Sequence, residues 1–176
     1  MKLNRTLVAL TAVALLFGSV AIARQQNRVS PHETVELALN GKKISITYGR
    51  PSMKGRKIMG ALVPFNAVWR TGADEATVLT TEADLMIGTL AVPKGSYSLF
   101  TLPTESGWKL IVNKTAQQWG AFNYDEKQDL GRTDMKVSKA SAPVEQFTIT
   151  LTKAGNGGLL KMAWESTVAS VDIKLK

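Results

Sequence analysis

Thr34-Val35-Glu36-Leu37-Ala38-Leu39-Asn40-Gly41-Lys42-Lys43-Ile44-Ser45-Ile46-Thr47-Tyr48 is the stretch that decides the fold class. Val35, Leu37 and Leu39 alternate with smaller or polar residues, and Ile44, Ile46 and Tyr48 do the same beyond Asn40-Gly41. A period of two places each set on one face of an extended strand. Asn-Gly supplies the two positive-φ positions of a type I′ turn, whose twist matches that of paired strands. The stretch predicts a β-hairpin.

The same period continues toward the C-terminus. Residues 76–81 carry Val78 and Leu79 among threonines, and 84–92, interrupted by Gly88, read as two short strands or one bulged strand. After the Pro93-Lys94-Gly95 turn, Tyr97, Leu99 and Thr101 alternate with Ser98, Phe100 and Leu102. Trp108, Leu110 and Val112 share one face of 107–113, and Phe147, Ile149 and Leu151 share one face of 144–151. Residues 159–164 and 171–175 are expected to close the fold as a pair. No segment shows a helical period. Residues 58–69, with Pro64, predict a loop or a short helix. Short strands separated by Gly, Pro and Asn turns give an all-β fold, a single-domain antiparallel β-sandwich, jelly-roll-like or barrel-like.

The N-terminus reads differently. Met1-Lys2-Leu3-Asn4-Arg5, an apolar run and Ala21-Ile22-Ala23 form a basic region, a hydrophobic region and a small-x-small cleavage site. Residues 1–23 are therefore expected to be a cleaved signal peptide, 24–33 a polar exposed leader and 34–176 the domain. The mature chain would carry no transmembrane segment and would be exported, to the periplasm or beyond. Without Lys2 and Arg5 the formal net charge falls from +8 to +6.

Composition narrows the chemistry. The 176 residues include no Cys and one His, His32. That excludes disulfides, thiolate nucleophiles, Cys-ligated zinc and any two-imidazole site within one chain. A mature chain of this size can bury a self-sufficient core without disulfides, and the lack of Cys suits a bacterial envelope protein. His32 reads as a surface residue. Asn113-Lys114-Thr115 has the form of a glycosylation acceptor but reads as a strand end. The carboxylate pairs Asp74-Glu75 and Asp125-Glu126 lack the spacing of a known calcium loop, so no metal site or cofactor is expected. The positive charge comes without a nucleic-acid-binding motif, so no nucleic-acid partner is expected.

Three segments concentrate the candidate site residues. Gly49-Arg50-Pro51-Ser52-Met53-Lys54-Gly55-Arg56-Lys57 places four cations in nine residues, a costly arrangement unless an anion or an acidic neighbour offsets it. It lacks the spacing of a phosphate-binding P-loop. Trp69-Arg70-Thr71-Gly72-Ala73-Asp74-Glu75 sets an indole and a guanidinium beside two carboxylates. The guanidinium suits a carboxylate or phosphate; alternatively Arg70 or Arg56 bridges to Asp74 or Glu75 and pins the loop. In Trp119-Gly120-Ala121-Phe122-Asn123-Tyr124-Asp125, Trp119 and Tyr124 are candidates for a sugar platform, with core packing as the alternative.

These motifs resemble a known family. The run from Tyr48 to Arg56, then Val63-Pro64-Phe65, the run from Trp69 to Thr77, the run from Pro93 to Phe100, and Asn113 with Trp119-Gly120 look like the bacterial domain-of-unknown-function family 2911. The resemblance covers about residues 30–151 and implies an exported β-rich domain with no established activity. Two departures stand out: Phe65-Asn66 stands where Tyr-Gly is expected, and Asp74 where Asn is common. The extra negative charge beside Arg70 favours the internal ion pair.

The leading functional expectation is a cell-envelope binding module in which Arg50, Lys54, Arg56, Trp69, Arg70, Asp74, Glu75, Trp119 and Tyr124 form the ligand-binding set. Its partner would be an anionic envelope glycan or a lipid head group. One alternative is a hydrolase using Asp74 or Glu75 as general base, with the arginines stabilising negative charge. Against it, a carboxylate beside arginines has a lowered pKa, and no nucleophile motif is recognised. The other alternative is a structural or interaction domain in which the motif residues only hold loops.

Overall fold

Asn40 and Gly41 take φ values of 48° and 76°, the left-handed pair that a type I′ turn requires. Strands β1 (His32–Leu39) and β2 (Lys42–Gly49) accordingly pair antiparallel, with Leu39 opposite Lys42 and His32 opposite Gly49. The computed structural model describes residues 28–176; the expected signal peptide and the first part of the leader lie outside the described residues.

Seven more strands follow: β3 (Thr77–Thr81), β4 (Leu85–Ile87), β5 (Leu90–Val92), β6 (Gly95–Pro103), β7 (Trp108–Asn113), β8 (Asp129–Ala154) and β9 (Gly157–Leu175). All pairings are antiparallel, and the order across the sheet is β1-β2-β3-β6-β7-β8-β9-β4-β5. The protein is all-β, as its alternating pattern requires. Residues 84–92 form two strands, β4 and β5, turning at Gly88 (φ 56°). Residues 58–69 form a looped segment with a local bridge between Met59 and Val63.

The C-terminal strands differ from expectation. Residues 144–151 are the end of a 26-residue strand, and 159–164 and 171–175 belong to one 19-residue strand rather than pairing with each other. Strand β9 runs against β8, then passes on to pair Ile173 and Leu175 with Ile87 and Leu85 of β4. The register of β8 with β9 shifts between Lys139 and Val144 and again before Thr148, and Glu165 on β9 takes φ 54°. Irregularities of this kind bend a strand and raise its local twist.

Those bends let the sheet curl until its two ends share one core. Ile44, Ile46 and Tyr48 from β2 are buried in the same cluster as Ile149 from β8, Leu160, Met162 and Trp164 from β9, and Leu85 and Ile87 from β4. The Tyr48 hydroxyl accepts a hydrogen bond from the Ile149 backbone N–H at 2.9 Å, tying the β2 layer to the β8 layer. Its burial pushes the phenol pKa up, with Arg50 partly countering. Within the core Trp69 stacks on Trp164 (centroids 5.9 Å apart) and meets Phe147 and Trp108 edge-on.

Candidate functional site

Strand β2 ends at Gly49, where the chain passes so close to loop 70–74 that a Cβ would collide with the Ala73 carbonyl. The loop is itself unusual: Thr71, Gly72 and Asp74 take φ values of 58°, 157° and 63°. A β-branched residue in the left-handed region is strained, and such strain persists only where surrounding contacts fix it. Here the buried Thr77 hydroxyl donates to the Thr71 carbonyl at 2.6 Å and the Thr71 hydroxyl reaches Thr101 at 3.2 Å. Two of the three residues that depart from the expected motif use left-handed backbone, Asn66 at φ 61° and Asp74 at φ 63°. Asn and Asp tolerate that region better than most residues, so these two suit the backbone they occupy.

The basic loop lies on β8. Met53 N–H donates to Glu145 O (2.8 Å), Phe147 N–H to Pro51 O (2.9 Å), and Lys54 N–H to the Glu145 carboxylate (2.9 Å). Arg56 donates to the Met53 and Ser52 carbonyls at 2.9 and 2.7 Å, closing the turn that Lys54 (φ 49°) and Gly55 (φ 71°) make. Arg50 pairs with Glu33 at 2.7 Å and donates to Thr148 at 3.0 Å. Arg50 and Arg56 are thus partly occupied in holding the loop. Lys54 is exposed and forms no ion pair among the described residues.

Arg70 stands apart. Its Nε is buried and has no hydrogen-bond partner, the only such side-chain atom among the described residues. The expected bridge from Arg70 or Arg56 to Asp74 or Glu75 is not formed. The reason is that both carboxylates are taken by the leader. Asp74 accepts the backbone N–H groups of Val29 and Ser30 at 3.3 and 3.1 Å. Glu75 accepts from Arg28 at 2.7 Å through one oxygen and contacts His32 Nε2 at 2.9 Å through the other. Arg50 N–H adds a bond to the Pro31 carbonyl at 2.7 Å. Residues 28–32 therefore form a strap bound across the 74–75 corner, not a loose leader. Burial lowers the Arg70 pKa, and Asp74 offsets this only in part.

The strap separates two cavities of about 460 Å³ each. One has Arg70, Lys54, Arg56, Arg50, Trp69 and Asp74 on its lining, six of the nine expected site residues. Its indole is a floor, not a free stacking face: Trp69 is 8% exposed and packed against Trp164. The other cavity holds Glu75 and Trp119, together with Arg28, His32 and Gln117. Burial pushes the Glu75 carboxyl up, but its hydrogen bond and charge interaction with Arg28 and the charge of His32 outweigh this and leave its pKa below the ordinary value.

Tyr124 lines neither cavity. It packs edge-on against Phe100 at 4.9 Å, donates to Asp129 at 2.7 Å and accepts from Arg132 at 2.9 Å. Burial and the Asp129 hydrogen bond push its phenol up to about 12. Trp119 and Tyr124 therefore do not make one platform. Asn113 is fully buried and donates to Asp125 O and Asp129, as a strand end does. Asp125 caps a 3-10 turn at Glu126–Gln128 by accepting from Lys127 N–H.

Arg28, His32 and Trp164 join the site without having been singled out for it. Arg28 and His32 find their partner more than forty residues away, a pairing that leaves no local signature. Among the described residues no helix is long and apolar enough to cross a membrane. A family model described as "Protein of unknown function (DUF2911)" matches residues 30–173. No curated protein and no solved structure matches the chain.

Proposed function

This chain belongs to the DUF2911 family, and from that premise we propose that it is an exported envelope protein that binds an anionic ligand in the cavity beneath Arg70. The observation that carries this reading is the unpartnered guanidinium. Burying a donor without a partner costs about 1–3 kcal/mol, and Arg70 bears that cost with no internal carboxylate in pairing range. Lys54 and Arg56 add positive charge at the same cavity. A guanidinium edge takes a carboxylate or phosphate through two parallel hydrogen bonds, and pairing is strongest where water is partly excluded. The ligand is accordingly a carboxylate- or phosphate-bearing group of an envelope glycan or lipid head.

The hydrolase alternative finds little support. A general base needs a carboxylate free to take a proton near neutral pH. Asp74 and Glu75 are bound to the strap, and Glu75 is held below the ordinary carboxylate range. The test is retention of the protein on a polygalacturonate resin and on phosphatidylglycerol vesicles at low and high salt, wild type beside Arg70→Met. Binding that weakens with salt and with loss of Arg70 is expected. Retention on both supports that ignores salt, or that survives Arg70→Met unchanged, would overturn the proposal.

A further inference from the structure

The second cavity has its own chemistry, and the key to it is where the four tryptophans go. Trp69, Trp108 and Trp164 are 8%, 5% and 1% exposed and pack in the core. Trp119 is only partly buried, makes no aromatic pair, and its indole N–H donates to no group among the described residues. Yet its segment is firmly held. Ala76 N–H donates to Gln118 O at 2.9 Å and Gly120 N–H to Asp74 O at 3.0 Å. The Gln118 amide donates to buried Asn113 at 3.1 Å and to Thr115 O at 3.0 Å. The fold thus fixes an indole outside its core and along a cavity of about 460 Å³, within the roughly 300–1,000 Å³ of small-molecule sites.

The cations on this cavity have an internal partner. Arg28 and His32 both lie on Glu75, at 2.7 and 2.9 Å, whereas the Arg70 cavity keeps an uncompensated cation. What remains is one aromatic face with planar polar groups around it: the Glu75 carboxylate, the Arg28 guanidinium and the exposed Gln117 amide, which has no partner among the described residues. A pyranose matches that set. Its C–H face rests on an indole, and its hydroxyls, arranged around the ring, hydrogen-bond to planar amides, carboxylates and guanidinium groups.

We propose that the Trp119 cavity is a second binding site, separate from the Arg70 site, that takes an uncharged sugar residue with its ring stacked on the indole. It stands without the anion-binding reading, since no residue of it depends on Arg70.

Trp119 is also the natural reporter, because the other three indoles are buried. The protein is titrated with maltose, cellobiose and N,N′-diacetylchitobiose, followed by tryptophan emission and by calorimetry. A saturable emission change with at least one of the three, with the same affinity at low and high salt, is the expected result. Trp119→Ala should then weaken the calorimetric affinity by about tenfold or more, and Gln117→Ala, at an exposed position, severalfold with the fold intact by circular dichroism. Arg70→Met should leave sugar binding unchanged, which separates this site from the anion site. No emission change and no heat with any of the three disaccharides would overturn the proposal. So would binding that persists in Trp119→Ala or that falls with salt.

Discussion

Replacing Arg70 by methionine removes a buried donor that nothing among the described residues satisfies while keeping an unbranched aliphatic stem. The orphaned Nε is worth about 1–3 kcal/mol of destabilisation. Because Arg70 as a whole is only partly buried, the lower end of that range applies. Methionine recovers most of the aliphatic packing. Arg70→Met is therefore expected to be more stable than wild type by about 1 kcal/mol. The assay is urea denaturation followed through the buried tryptophans, with an unchanged m-value as the check that both proteins unfold from the same compact state. The pairing with ligand gives a second arm. Sulfate at about 100 times its dissociation constant would stabilise the wild type by roughly 2.7 kcal/mol through linkage. Sulfate also strengthens burial generally, so the quantity to read is the excess in wild type over the methionine variant. A loss of about 3 kcal/mol or more on substitution would refute the reasoning, because that is the signature of an arginine whose removal strands a buried partner.

Other consequences concern the strap, the close approach and the tyrosine network. Asp74→Ala frees the Val29 and Ser30 amides, so trypsin should cut after Arg28 severalfold faster than in wild type; an unchanged rate would mean the strap is held elsewhere. The depressed folded-state pKa of Glu75 means its contribution is complete above the ordinary value of 4.5 and is lost as pH falls through the lower folded value. The Glu75 side-chain carboxyl carbon resonance should report that release below pH 4.5, and a midpoint at or above 4.5 would refute it. Gly49→Ala drives a methyl into the Ala73 carbonyl and should cost about 2 kcal/mol or more in denaturation. In a phenolate absorbance titration Tyr124 should ionise at about 12, and Asp129→Ala should lower that value toward, but not to, 10.0, since burial remains the larger cause.

The hairpin was legible because Asn40-Gly41 admits almost one backbone answer and the flanking alternation admits one face. The long strands were not. Between Lys136 and Gln146 the sequence is mostly Lys, Ser and Ala with a proline and two isolated valines, Val137 and Val144, that do not share a period of two, and β8 is irregular there, so no apolar alternation marks it as strand. The break between Trp164 and Val171 has the same origin, since Glu165 takes φ 54° and the residues after it, apart from Val168, are polar or small. For the site, the sequence placed six residues that the fold brings to one cavity. It misjudged their partners, because Asp74 and Glu75 look outward along the chain to a leader whose polar composition resembles an unattached tail. Trp119 and Tyr124 are neighbours in sequence, but the chain turns between them at Gly120 (φ 66°), and they reach different environments.

The two bent strands have a consequence for how the molecule assembles. Because β8 and β9 belong to both halves of the curled sheet, neither half can close its core alone. Leu85 in β4 pairs on one side with Val92 of the adjacent β5, but on the other with Leu175 of β9, at the far end of a long sequence separation. The pairings that complete the core are therefore among the most distant in sequence, and contacts of that kind are entropically late and slow. Folding should be a single cooperative event that waits for the last strand to be delivered. A chain shortened within β9 would keep the first hairpin's local order but lose the common core at both ends at once.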